Sequence, residues 1–402
     1  MNAPLRNLAG RLHREAAAAP ADLSAVLPEL TRRFADTAER HDRDASFPFE
    51  NFAALRDADL LTLTTPAALG GGGADLKTAL RVIQAAARGE PATALVLVMQ
   101  YLFHASLGAG RSDWPEALKH KVVDSAREEG ALINALRVEP ELGTPARGGL
   151  PATVARRTPD GWSLTGRKIY STGSVALTWM VVWARTDEET PRVGGFLVHK
   201  DAPNWRIEET WDHTGLRASA SHDVVFEDTP IPFEHALSPT APGAPAPLDP
   251  VLAVWSPVLT AGIYDAVARA GRDWFVDWLI ERKPANLGAA LATLPRFQEL
   301  VGKIDGLLLQ NRVLLDTAAA GGLGPAETGL VKHLVTENAI AAVEIAIAAS
   351  GNPGLSRHNP LQRYYRDVLC GRIHTPQGDV ILTAAGKAAV AGRQPQQEPS
   401  PQ

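Results

Sequence analysis

Residues 363–380 read RYYRDVLCGRIHTPQGDV, the end of a helix followed by a loop that carries His374, Thr375 and Pro376. An imidazole in such a loop can hold or pass a proton near neutral pH, whereas a threonine is neutral and cannot take a proton from carbon. A second histidine, His104, lies in the apolar stretch MQYLFHASLG, and a hydroxyl-bearing run, Tyr170-Ser171-Thr172, lies in GRKIYSTG. Two imidazoles and a hydroxyl can supply a proton source and hydrogen-bond donors in a site that excludes water. His104 also has a plainer reading, a satisfied histidine inside a buried helix. No H-E-x-x-H and no paired cysteines occur, so no protein-bound metal is expected. The single cysteine, Cys370, excludes an internal disulfide framework and fits a reducing, cytoplasmic compartment.

The elements that must position these residues fall into blocks. The chain has 402 residues, a formal net charge of −5 and no basic block, which argues against a nucleic-acid partner. Residues 1–130 read as a helical domain. Within it, TALVLVMQYLFHASLGAG is apolar nearly all round, which predicts a buried helix carrying His104. Gly70 to Gly73 cannot sit stably in a helix, and with no G-K-[ST] after them they predict a flexible turn. Residues 131–236 predict a small β domain, with ATVARRTPDGWSLTGRKIYSTG as strand, turn and strand around Pro159-Asp160-Gly161. Residues 237–248 read as a Pro-rich linker, 249–392 as a C-terminal helical bundle, and 393–402 as a disordered tail. In the bundle, Phe297, Leu300, Val301, Ile304, Leu307 and Leu308 form one helical stripe. The N-terminal residues lack the apolar core of a secretory signal, and no run of about 18 apolar residues predicts a membrane span.

Five further motifs recur in a fixed order between residues 138 and 367. VEPELGTPARGG resembles T-E-P-x-x-G-S-D, with Glu139, Pro140, Gly143 and Thr144 in place. GRKIYSTG resembles G-x-K-x-W-I-T-N, and GLRASASHDVVFEDTPIP resembles G-x-R-x-S followed by F-x-D-x-x-V-P. ERKPANLG with the later RFQ resembles R-x-x-F-G…FQ. GNPGLSRHNPLQRYYRD resembles G-G-x-G-Y…P-x-E-R-x-Y-R-D. Over roughly residues 45 to 390 the chain is thus similar to the acyl-CoA dehydrogenase superfamily. The resemblance implies a mainly α fold with a central β domain: an N-terminal helical domain, a small β-barrel-like domain and a C-terminal four-helix bundle. It also implies a flavin, FMN or FAD, held between the β domain and the C-terminal helices, and a homotetramer or homodimer. Tyr170, Ser171 and Thr172 are then the expected flavin contacts. Val138 stands where the family has a flavin-bonding Thr and offers no such group. Arg282 matches an arginine that reaches a cofactor pyrophosphate across a subunit interface, although a solvated helix end explains it as well. Gly351 and Gly354 match a glycine-rich turn near the dinucleotide, or form a plain helix cap. Arg147 could bind a phosphate or an anionic substrate, or be a solvated loop residue.

One part of the family pattern is missing. In the common subfamily a glutamate about eight residues after Y-R-D removes the α-proton of an acyl-CoA thioester; here that place is Thr375. The loop looks more like that of the two-component flavin monooxygenase branch, the dibenzothiophene monooxygenase and sulfur-acquisition oxidoreductase type, in which a His is followed shortly by a Pro. On that resemblance His374, His104 and Thr172 are the catalytic candidates, with the histidines near their working pKa at neutral pH. The expected reaction is oxygenation of a small organosulfur or aromatic substrate with dioxygen and reduced flavin from a separate reductase. The rival is an FAD-dependent acyl-CoA dehydrogenase with a relocated base, for which Glu344 is one candidate. A third class keeps the fold and flavin without catalysis.

Overall fold

The computed structural model describes residues 22–108, 114–141, 149–241, 249–391 and 393. Arg147, Gly143, Thr144, most of the expected linker and nearly all of the tail lie outside them. The first block holds α1 (Leu23–Asp44), α2 (Phe49–Asp57), α3 (Leu76–Gly89), α4 (Pro91–Ser106) and α5 (Glu116–Glu128). Local chemistry starts them: Asp22 and Asp75 accept backbone N–H bonds at the first turns of α1 and α3. Pro91 opens α4, where the Glu90 carboxylate caps the free amides of Ala92 and Thr93. Leu95, Val96, Leu97, Val98, Tyr101 and Leu102 are all buried, so α4 is a core helix on every side.

The four glycines before α3 are not a flexible turn. Gly72 and Ala74 donate to the carbonyls of Thr62 and Leu63, and Gly73 donates to that of Thr65. A Cβ on Gly71 would lie 2.1 Å from that of Thr65, so only glycine lets the chain fold back flat against residues 62–65. The turn fixes Thr65, which matters for His104.

The middle block is one eight-stranded sheet of β1 (Leu132–Leu136), β2 (Val154–Thr158), β3 (Gly161–Lys168), β4 (Leu177–Thr186), β5 (Val193–His199), β6 (Trp205–Glu208), β7 (Asp223–Ile231) and β8 (Ala236–Thr240). Seven strands pair in the order β6-β7-β3-β2-β4-β5-β8, and β1 pairs with β4 off this path. β1 and the start of β2 lie along the same edge of β4, both parallel to it. β4 is buried on both faces: Met180, Val182 and Ala184 join the main core, while Trp179 and Val181 pack under α5 with Leu118 and Val122. Trp162 of β3 meets Phe196 of β5 edge-on at 5.5 Å, although two strands separate them, so the sheet curls over its own core. Leu237–Thr240, expected as linker, instead forms part of β8, paired antiparallel to β5. Its place at the sheet edge explains how Pro239, which has no N–H, is accommodated.

The last block holds α6 (Pro250–Glu281), α7 (Pro295–Ala319), α8 (Pro325–Ser350), α9 (Asn352–Leu355), α10 (Leu361–Leu369) and α11 (Gly378–Ala391). Gly271 of α6 faces Val343 of α8, and Gly371 touches both Tyr264 of α6 and Thr336 of α8. The equal offset means that α6 and α8 run parallel and in register. By length and composition α6 could cross a membrane, but 67% of its apolar window is buried and it packs against α3, α4, α7 and α8. It is the core helix of this bundle.

Candidate active site

The segment Val138-Glu139 meets Lys168–Thr172 through a buried ion pair. Lys168 Nζ lies 2.6 Å from Glu139 Oε1, and both side chains are almost wholly enclosed. The carboxylate also accepts from the Thr153 hydroxyl at 2.6 Å and from the backbone amides of Ala152 and Thr153. Burial alone would raise the Glu139 pKa, but the bonds from Lys168 and Thr153 outweigh it and hold the carboxyl below its usual range. Burial pulls Lys168 down to about 8 against the attraction of Glu139. The Glu of one motif and the Lys of another therefore form a clamp. It seats the Val138 carbonyl 3.0 Å from the Ile169 amide and brings Val138 beside the run 170–172.

That run has an unusual conformation. Tyr170 takes φ 55°, a left-handed value that costs free energy for a bulky residue, and its ring remains 55% exposed. Ser171 is buried, and its Oγ has no partner among the described residues. The Thr172 hydroxyl accepts from Ser221 at 3.1 Å, and Ser221 is bonded in turn to Ser219 at 2.8 Å. The ring of Tyr170 stands edge-on to Trp211 and His213, which stack on each other at 3.7 Å. An orphaned buried hydroxyl beside an open aromatic surface fits a flat ring system with polar edges. Ser171, Thr172 and Tyr170 could hold such a cofactor.

The loop 211–217 joins this platform to α10. The Leu216 amide donates to buried Asp367 at 2.7 Å, and Arg366 pairs bidentately with Asp42 while donating to the Thr214 carbonyl. Burial lifts the Asp367 pKa to about 7 and the Cys370 thiol to about 12, so that thiol stays protonated. Beyond Cys370 the chain enters the loop of His374. Lys332, buried on α8, donates to the carbonyls of Gly371, His374 and Pro376 at 2.7, 2.7 and 2.9 Å. Burial lowers its pKa to about 8. Gly371 presses against the Tyr264 ring, where a Cβ would come within 2.8 Å, and this approach lets the Tyr264 hydroxyl bond His374 Nδ1.

The protonation of this pair follows from its surroundings. Burial raises Tyr264 well above the usual tyrosine pKa, so it is a neutral phenol. Burial, with the nearby Lys332 ammonium, lowers His374 to about 4. With the phenol as donor, Nδ1 accepts and the ring proton sits on Nε2, for which no partner exists among the described residues. The half-buried His374 thus offers one N–H donor, and at neutral pH it is not an imidazolium. His104 is neutral as well, lowered to about 4 by burial alone. The expectation that both histidines lie near their working pKa at neutrality is therefore corrected: desolvation penalises the charged ring.

His104 also sits in a closed network. Gln100 Oε1 accepts from the Ile133 amide at 2.9 Å, which orients its amide so that Nε2 donates to His104 Nε2 at 2.9 Å. Nδ1–H then donates to Thr65 Oγ1 at 2.5 Å. Both ring nitrogens are used and the side chain is fully enclosed. This is the arrangement of a satisfied core histidine, and none of its hydrogen-bond partners is shared with His374. Arg282 caps the C-terminus of α6, exposed, and lies near the same bundle end as Gly351 and Gly354. That end is roughly 27 Å along the helices from Tyr264, so within one chain these three residues stand apart from His374.

Sequence reasoning did not assign Tyr264, Lys332, Trp211, Ser219 or Ser221. Ser219 lies in the quoted GLRASASH motif, and Lys332 interrupts an apolar run in GLVKHLV, a visible signal of a buried cation. Nothing in the sequence around Tyr264 distinguishes it from any other aromatic on an apolar helix.

Comparison with known proteins agrees with this architecture. Family models match as the acyl-CoA dehydrogenase N-terminal domain over residues 25–111, the middle domain over 137–229 and the C-terminal domain over 267–377. The putative acyl-CoA dehydrogenase YdbM of Bacillus subtilis is 36% identical over 360 residues, 88% of this chain and 92% of its own. L-evernosamine nitrososynthase of a Micromonospora species is 29% identical over 397 residues, 91% of this chain and 88% of its own. A structure of KijD3 in complex with FMN and an amino-keto sugar linked to dTDP superposes with a TM-score of 0.77 at 29% identity, covering 93% of each chain. The ordered motifs, the helix–sheet–helix architecture and these full-length matches together place the chain in the acyl-CoA dehydrogenase family.

Proposed function

We propose that this protein is a reduced-flavin-dependent monooxygenase that transfers one atom of dioxygen to a small organic substrate. The loop Gly371–Pro376 carries the reading. Thr375 stands where a dehydrogenase of this family keeps its glutamate, and the neighbouring polar group is a neutral His374 set by Tyr264. A neutral imidazole is a poor base for an α-carbon but a good fixed hydrogen-bond donor. A bound reduced flavin would supply two electrons; one oxygen atom joins the substrate and the other leaves as water. Ser171 and Thr172 would hold the cofactor ring, with Tyr170 beside it, and the His374 Nε2–H would be the hydrogen-bond donor to the oxygen being transferred. The Lys332 clamp keeps that donor in place.

The cofactor is read as a flavin, FMN in the KijD3 complex. The nitrososynthase and KijD3 matches add amine nitrogen to the organosulfur and aromatic centres expected from the sequence; all are electron-rich acceptors of oxygen. A separate reductase delivers the reduced flavin in the cytoplasm. Arg282, Gly351 and Gly354 reach a cofactor only from a second copy, which favours a homodimer or homotetramer. The dehydrogenase reading draws on the name of the Bacillus subtilis relative. Against it, Glu344 is exposed and accepts a bond from Tyr365 at 3.3 Å.

The test supplies reduced FMN, isotopically labelled dioxygen and a panel of amines, sulfides and phenols. Label should enter a product with the natural chain and not with His374→Ala, whose circular dichroism should be unchanged. Bleaching of bound flavin by an acyl-CoA without oxygen uptake would overturn the proposal and return the search to a relocated base.

A further inference from the structure

A groove of about 530 Å³ runs between the C-terminal half of α1 and the segment leading into α10, lined by Glu39, Asp42, Arg43, Arg357, Arg363 and Tyr364 among others. Its acids are already used. Asp42 binds Arg366 through both oxygens, at 2.6 and 2.9 Å, and Glu39 pairs with Arg43 one turn on. Two arginines remain over. Arg357 is exposed and makes no ion pair or side-chain hydrogen bond among the described residues. Arg363 is only 7% exposed, yet its guanidinium makes no hydrogen bond or ion pair there either, and its Nε is buried without a partner. It lies over the face of Tyr364, with Cζ 5.4 Å from the ring centre, and its charge is felt by the buried Asp367 carboxylate one turn on, without a hydrogen bond between them. Buried polar groups are almost always hydrogen-bonded, and a guanidinium above all presents a planar fork of donors matched to an oxyanion.

We propose that this groove binds a small organic phosphate, whose phosphoryl group takes the forks of Arg363 and Arg357 while its body lies along Tyr364. Two guanidinium forks without a hydrogen-bonded partner among the described residues suit a dianion, and the volume is that of a small-molecule site rather than of a lone ion. The groove is formed by α1 and the segment leading into α10, Arg282 is not among its lining residues, and the proposal stands whatever reaction the flavin platform performs.

The experiment measures the thermal midpoint of the full chain at constant ionic strength against phenyl phosphate, inorganic pyrophosphate and, as the carboxylate arm, benzoate. A saturable rise with phenyl phosphate and pyrophosphate is expected. It should vanish in Arg363→Met and weaken on the order of tenfold in Arg357→Gln, since a charge-assisted bond is lost. Arg282→Gln should keep it. Should Arg363→Met fail to fold, the exposed Arg357→Gln decides alone. No saturable rise, a rise unchanged in Arg357→Gln, a rise lost in Arg282→Gln, or a benzoate response equal to that of phenyl phosphate would each overturn the assignment.

Discussion

Tyr264 decides which nitrogen of His374 carries the proton. It lies 110 residues away in the chain, and nothing in either local sequence announces the pair. Tyr264→Phe keeps the ring against Gly371 but frees Nδ1, so the Nε2–H donor is no longer fixed. Turnover should fall on the order of tenfold or more with the fold intact. The pH profile gives a second check. His374 titrates at about 4 in the folded chain, so it stays neutral as pH falls through 6.5 and gains a proton only near 4. The acid limb of kcat/KM should therefore lie near pH 4; a limb at the ordinary histidine value would show that His374 is not the group that matters. His374 itself was legible as a candidate, because a loop histidine after Y-R-D is a sequence pattern. Its charge state was not, because desolvation depends on what covers the ring.

At the scale of elements, two buried lysines tie the site to the scaffold. Lys332 gathers three carbonyls of the His374 loop onto α8, and Lys168 joins β3 to the segment after β1 through Glu139. Glu139→Gln would leave the Lys168 ammonium enclosed without its carboxylate. Unfolding in urea should then show a loss of about 3 kcal/mol, with a largely unchanged slope. A loss below about 1 kcal/mol would mean that the clamp is not structural. Both motifs were readable in the chain, as V-E-P and as G-R-K. Their partnership was not, since the two residues lie 29 positions apart, with β2 and the rest of β3 between them. The glycine run before α3 shows the converse. Composition predicts looseness at Gly70–Gly73, but packing against Thr62–Thr65 makes it a close turn.

For the whole molecule, acid stability reports how deeply His104 is enclosed. Its folded pKa of about 4 lies below the ordinary value of 6.5, so the unfolded chain binds its proton first as pH falls. The contribution is present above pH 6.5 and is lost progressively down to and below pH 4, on the order of 3 kcal/mol for the full shift. A His104→Gln chain should lose stability less steeply over that window; an equal slope would remove His104 as the source. The sequence by itself determined the class of molecule. Helical periodicity, the β-rich middle and five motifs in order mark the acyl-CoA dehydrogenase family, because local pattern and spacing survive in one dimension. Only the tertiary structure decided which chemistry-bearing residues meet. It enclosed His104 between Thr65 and Gln100, set His374 against Tyr264 and Lys332, and left the Arg363 guanidinium without a hydrogen-bond partner among the described residues. Each outcome depends on burial and on contacts between distant segments, and those exist only once the helices and the sheet have packed.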